Sequence, residues 1–209
     1  MFAPGGARAV GSCAAVGAFF LVVATVALHP PFGWIGAGLG LLLLGIAAFL
    51  AVFFRDPERP IGPGIVAPAD GRIRAVTVDG GRLCISTFMN VTNVHVNRAP
   101  IDGTVRTMER LGAGFRAAFR PDADRNVRLR YSLDTAVGPV EVVQITGVVA
   151  RRLVPFVAPG ATLRKGDRFG MIVLGSRVDL LLPADRARPR VAVGASVVAG
   201  RTTVAEVAP

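Results

Sequence analysis

Charged and apolar positions are distributed very unevenly along the chain. Residues 10–28 contain no charged side chain, and neither do residues 34–54. Each run is long enough to cross the roughly 30 Å hydrocarbon core of a bilayer as a helix. The pattern predicts two transmembrane helices, about 10–28 and 34–54, folded back on each other through His29-Pro30-Pro31-Phe32-Gly33. Two alternatives stand beside this hairpin. One is a cleavable secretory signal over the first run, against which the second, longer run argues; the other is one span followed by an interfacial helix. After residue 54 the pattern changes. Residues 55–64 form a Pro/Gly-rich linker, and residues 65–209 show short apolar runs broken by Gly, Pro and Asp. Strands are predicted over 73–78, 83–87, 127–133, 140–145, 171–174, 178–182 and 192–193, with a last strand in 201–209. No segment after Pro60 holds a helical period for more than two turns. The fold class is therefore mainly β, preceded by a two-helix membrane anchor of residues 1–54.

Composition and charge sharpen this picture. Hydrophobic residues make up 52% of the 209, and the net charge is +10 from 24 Lys+Arg against 14 Asp+Glu. The arginines are scattered and lack interleaved aromatics, which argues against a nucleic-acid partner and for a basic domain lying against anionic headgroups. Arg8 before the first span, with Arg55 and Arg59 after the second, places both ends and the β domain on the cytoplasmic side of the cell membrane. Cys13 and Cys84 show no metal-ligand spacing and no disulfide pattern, and no metal site is expected.

One supersecondary pattern stands out. Residues 157–170, with a Pro159-Gly160 turn and a Lys165-Gly166-Asp167 turn, resemble the half-barrel repeat of lipoyl and biotinyl carrier domains, and Ala67-Pro68-Ala69-Asp70-Gly71 resembles the opening of such a sandwich. That resemblance implies a lipoyl/biotinyl-like β-sandwich or barrel. Carriers modify a lysine at a hairpin tip, whereas Lys165, the only lysine, sits in a different turn.

The candidate chemistry gathers at Gly175-Ser176, a small residue and a hydroxyl between two strand-like runs. Taken alone, each candidate has a plain structural role: Gly-Ser as turn material, Asp70 as a turn carboxylate bonded to its own backbone, and His95 as a packed ring. Together, Asp70, His95 and Ser176 are the residue types an activated hydroxyl needs: a base for the proton, and a carboxylate that orients and charges the base.

Phe53-Phe54-Arg55-Asp56-Pro57, Ala67-Pro68-Ala69-Asp70-Gly71, Asn93-Val94-His95-Val96-Asn97-Arg98 and Phe169-Gly170-Met171-Ile172-Val173-Leu174-Gly175-Ser176-Arg177 together resemble the phosphatidylserine decarboxylase family in its short form. The resemblance runs from Phe53 onward and implies a proenzyme. Ser176 would attack the Gly175 carbonyl, and the chain would part into a β chain, 1–175, and an α chain, 176–209, headed by a pyruvoyl group derived from Ser176. That ketone would form a Schiff base with the amine of an anionic serine phospholipid, accept the electrons left by CO2 and return the ethanolamine lipid. By the same resemblance Asp70 and His95 are the self-processing acid and base, with His95 also the proton donor in turnover.

Arg55, Arg72, Arg74 and Arg98 are candidate binders of the substrate's phosphate or carboxylate. Two departures matter. Arg177 follows the cleaved serine, where many members have Ser or Thr. Thr92 stands where many carry a second histidine, so no role of that histidine transfers. A diacyl lipid and an ether-linked archaeal lipid present the same headgroup, and a homo-oligomer is compatible with the sequence. The alternative function is a membrane-tethered carrier or adaptor without catalytic activity.

Overall fold

Both uncharged runs become helices. α1 (Gly6–Val26) and α2 (Phe32–Phe53) are long and apolar enough to cross a membrane. The computed structural model describes residues 1–26, 29–116, 125–148, 152–173 and 176–208, Ser176 by its main chain only. The ends of three predicted elements, residues 27–28, Leu174 and Pro209, lie outside the described residues, as does Gly175. The chain divides into two compact units, Met1–Glu58 and Arg59–Pro209.

In the first unit, Phe19, Val22, Trp34, Ile35, Leu41 and Leu42 all point outward, the pattern of helices apolar on every side. Small residues mark where the two helices meet. A Cβ on Gly40 would lie 2.7 Å from Leu21 Cγ, and one on Gly17 would lie 3.1 Å from the Gly40 carbonyl oxygen. Glycine at both positions lets the backbones approach. Cys13 Sγ donates to the Leu43 carbonyl across the same contact at 3.4 Å.

The second unit is built from strands: β1 (Ile65–Val66), β2 (Gly71–Asp79), β3 (Arg82–Met89), β4 (Val96–Arg98), β5 (Gly103–Leu111), β6 (Arg128–Thr135), β7 (Gly138–Ile145), β8 (Arg152–Pro155), β9 (Thr162–Leu163), β10 (Arg168–Val173), β11 (Ser176–Pro183), β12 (Ala187–Pro189), β13 (Ser196–Val197) and β14 (Thr203–Val207). Eight of them form one curled antiparallel sheet in the order β13-β2-β3-β11-β7-β6-β5-β9. Two three-stranded sheets, β4-β10-β8 and β1-β14-β12, complete the unit. The period-two alternation sends Leu83 and Ile85, Val178, Leu180 and Leu182, Val140 and Val142, and Leu129, Tyr131 and Leu133 into one shared core. The mainly β class read from the sequence is thus realised.

The strand expected at 192–193 is not one. Val193 is exposed in the turn before Gly194, whose φ is +90°, and the pairing strands are β12 and β13 on either side. Among the described residues the apolar Val191-Ala192-Val193 run enters no strand pairing. At the start of β2, Gly71 has φ +151°, and a Cβ there would collide with the Phe88 carbonyl oxygen. Only glycine lets β2 begin where it does against β3.

Candidate active site

The sheet register brings one set of strand ends together. Arg72, Phe88, Arg177, Ile145 and Arg128 are successive partners across β2, β3, β11, β7 and β6, and Leu111 of β5 faces Arg128. Residues 67–70, 90–95, 112–116, 125–127 and 146–148 therefore all lie at the end of the sheet where β11 begins. Ser176 opens β11 opposite Met89, the last residue of β3.

His95 follows six residues after Met89 and is fully buried. Its carbonyl accepts the Ile172 N–H at 3.2 Å, and in the next pair Met171 faces Val96. The segments 89–95 and 172–176 are thus joined at both ends, with Ser176 no more than about 14 Å of extended chain from Ile172. A turn shapes the first segment, because Asn93 Oδ1 accepts the Asn90 N–H at 2.8 Å and the Asn93 N–H reaches the Asn90 carbonyl at 3.0 Å. Asn93 then presents its own carbonyl to His95 Nδ1 at 2.8 Å. A carbonyl can only accept, so Nδ1 carries the proton and Nε2 is the ring atom able to take one.

Asp70 lies at the same end, immediately before β2. Its carboxylate is gripped by Arg59 through both oxygens, Nη1 to Oδ1 at 2.5 Å and Nη2 to Oδ2 at 2.9 Å, and Oδ1 also accepts the Ala199 N–H at 2.9 Å. Arg59 Nη1 in turn donates to the Ala199 carbonyl at 3.1 Å. Arg59 and Asn93 are the two partners that sequence reasoning missed. Arg59 lies in a Pro-rich connector with no periodicity to mark it, and Asn93 acts through its main chain.

The four candidate arginines are dispersed. Arg72 is exposed in the row just described, and Arg74 lies 5.4 Å above the Phe88 ring. Arg98 is buried and donates to the Gly166 carbonyl at 3.1 Å. Arg55 belongs to the first unit, where Nη1 donates to the Val52 carbonyl at 2.6 Å. Lys165 Nζ is occupied by the Gly64 carbonyl at 3.1 Å, which does not suit a swinging carrier lysine. Among the described residues no cluster of three or more His, Cys, Asp or Glu could hold a metal ion.

A buried polar chain underlies the site. Tyr131 Oη donates to Gln144 Oε1 at 3.1 Å, Gln144 Nε2 to Asn97 Oδ1 at 2.7 Å, and Asn97 Nδ2 reaches Met89 Sδ at 3.8 Å. It links β6, β7, β4 and β3 and ends on the residue facing Ser176. Burial pushes the Tyr131 phenol well above its usual range near 10. The folded state then holds a proton that the unfolded chain releases, so stability is intact below pH 10 and falls above it, by on the order of 1 kcal/mol at pH 11. Tyr131 is the only tyrosine. Urea titrations at pH 9 and pH 11 are expected to show that extra loss in the parent and not in Tyr131→Phe.

On the outer face of the sheet a cleft of about 490 Å³ is lined by Arg128, Arg130, Glu141, Arg177 and Asp179. Its charges answer one another, Arg177 with Asp179 at 2.9 Å and Arg130 with Glu141 at 3.7 Å.

The model of a family described as phosphatidylserine decarboxylase matches residues 46–205. A phosphatidylserine decarboxylase proenzyme of Nitratidesulfovibrio vulgaris is 43% identical over 217 aligned residues, covering 99% of this chain and 94% of its own. One from Streptomyces avermitilis is 44% identical over 161 residues, covering 76% and 74%. A protein of Halobacterium salinarum named for an archaetidylserine decarboxylase proenzyme is 43% identical over 187 residues, covering 88% and 90%.

Proposed function

The chain belongs to the phosphatidylserine decarboxylase family and is a decarboxylase, and from that premise we propose that it cuts itself between Gly175 and Ser176 and then acts on a serine phospholipid. The observation that carries the proposal is the double tie between segments 89–95 and 172–176, Ser176 paired with Met89 and Ile172 bonded to His95. It supports a buried base beside the scissile bond.

In the self-processing step the Ser176 hydroxyl adds to the Gly175 carbonyl while His95 Nε2 takes its proton. The peptide C–N bond breaks and an ester replaces it. Loss of the Ser176 α proton then expels the Gly175 carboxylate and leaves a dehydroalanine. Addition of water releases ammonia and leaves a pyruvoyl group at the head of the α chain. The residues present suit such a group: Ser176 is the first residue of a strand, so the new terminus stays anchored by the pairing of Arg177 with Phe88 and Ile145. When formed, the group supplies a ketone that condenses with the substrate amine and accepts the electron pair left by CO2. His95 is assigned the return of a proton to the α carbon, and Asp70 supports its charge.

Cleavage does not release the α chain. β11 lies between β3 and β7, β13 pairs with β2, and β14 pairs with β1, so each α-chain strand named remains bonded to the β chain. The two helices are assigned as the membrane anchor, with the β unit on the cytoplasmic face.

The mass of the purified chain tests the proposal. Two chains parted between Gly175 and Ser176 are expected, the smaller lighter by one ammonia than a serine-headed peptide. A single intact chain after incubation with detergent and lipid would overturn it.

A further inference from the structure

The strand ends that carry Ser176 also carry exposed apolar side chains on three separate loops. Val91 is 43% exposed, Phe115 38% and Val148 55%. They follow β3, β5 and β7, which all end in the row containing Arg177 or beside it. Two of the loops are hydrogen-bonded through one side chain. Asn126, buried between them, accepts the Arg116 N–H at 2.7 Å and donates through Nδ2 to the Arg116 and Thr146 carbonyls, each at 2.7 Å. Phe115 and Val148 thus stand exposed beside residues that Asn126 ties together.

Exposed arginines share this end of the sheet. Arg72, Arg116, Arg125 and Arg152 are exposed, and Arg152 belongs here because it pairs with Val173, three residues before Ser176. The opposite end of the sheet is different. Its turns carry Asp79-Gly80-Gly81-Arg82 and Asp185-Arg186, acidic and basic side chains together, with Val78 and Val207 exposed there.

We propose that Val91, Phe115 and Val148, together with these arginines, are a docking rim that seats the β unit on an anionic bilayer with the Gly175-Ser176 site facing the lipid. Apolar tips inserted at the headgroup boundary beside exposed cations are the combination that binds such an interface. A headgroup could then reach the site while its acyl chains remain in the membrane. The role of the rim in turnover rests on the decarboxylase reading; the contact itself does not.

Two experiments on the full chain in phosphatidylserine vesicles test the rim. In the first, Phe115→Asp with Val148→Asp is expected to lower kcat/KM for vesicle lipid about tenfold, with Val148→Lys milder, because each anion set against the surface loses on the order of one charge interaction. Self-cleavage and turnover of dispersed short-chain phosphatidylserine are expected to stay within about twofold. Equal loss on both substrates, no loss on vesicles, or failure to self-cleave would overturn the assignment.

In the second, Trp34→Phe removes the only tryptophan and Val148→Trp adds one at the rim. Its emission is expected to shift to the blue and to be quenched by lipids brominated near the headgroup. A blue shift without quenching would place Val148 against protein, and no shift would leave it in water; either overturns the proposal. This signal does not depend on catalysis. A parent chain that neither cleaves nor decarboxylates would defeat the functional reading and leave the rim to the fluorescence result.

Discussion

Ser176→Ala is expected to yield one uncut 209-residue chain with no measurable decarboxylation. Both losses have the same origin. Alanine has no hydroxyl to add to the Gly175 carbonyl, so the ester never forms and no ketone is generated. Without that ketone the carbanion produced by losing CO2 has no electron sink, since ordinary side chains do not supply one. The loss should therefore reach the background of the assay, where removal of a general base alone usually leaves activity reduced about 10²- to 10⁴-fold.

The fold should survive the change. β11 is held by main-chain pairing from Ser176 to Pro183 against β3, and a one-oxygen deletion at a strand end is expected to change stability by under about 1 kcal/mol. Intact mass, circular dichroism and a vesicle decarboxylation assay, run together, separate the alternatives. A folded, uncut, inactive variant is the expected result. Cleavage persisting in Ser176→Ala would place the nucleophile elsewhere, and activity persisting in an uncut chain would remove the pyruvoyl chemistry altogether.

The sequence made some of this legible for physical reasons. Long uncharged runs can only be accommodated by an apolar surrounding, so α1 and α2 were readable within a few residues. β3 sends Leu83 and Ile85 into the core and β11 sends Val178, Leu180 and Leu182, and that apolar alternation announces them. β5 was missed because much of it faces water: Arg106 pairs with Asp134 and Glu109 with Arg130 on its exposed side, leaving no apolar run to notice. The two-residue strands β1, β9 and β13 carry no periodic signal and exist only through their partners.

The site divides in the same way. Asp70, His95 and Ser176 stand in short motifs and could be named, whereas their environments are tertiary. That Arg59 closes on Asp70 beside Ala199 depends on distant parts of the chain meeting at one sheet end, and the Asn93 carbonyl sets the tautomer of His95 through a turn that carries no periodic signal. Arg98 shows the converse. A cation beside a candidate histidine invites a binding role, yet it is buried and braces the Gly166 turn.

Arg59→Met should destabilise the β unit by about 3 to 5 kcal/mol, the range for removing one partner of a buried ion pair. The side chains of Arg59 and Asp70 are only 9% and 11% exposed, so water cannot replace the lost guanidinium. Asp70 would keep the Ala199 N–H, one neutral donor where two charged ones stood. Arg59→Lys should recover only part of the loss, because a point charge on a flexible stem cannot meet both carboxylate oxygens.

Combining Arg59→Met with Asp70→Asn removes both charges and should restore most of the stability lost by Arg59→Met alone. The pair can then be apportioned by urea midpoints followed by circular dichroism. Self-cleavage gives a second readout, since Arg59 and His95 draw on the same carboxylate if Asp70 supports the imidazolium. On that basis Arg59→Met, at a temperature where it is folded, should process no more slowly than the parent, whereas Asp70→Asn should process more slowly. A loss below about 1 kcal/mol in Arg59→Met would mean the pair behaves like an exposed one. Slower processing in folded Arg59→Met would mean that the guanidinium serves the site by holding Asp70 in place instead of competing for its charge.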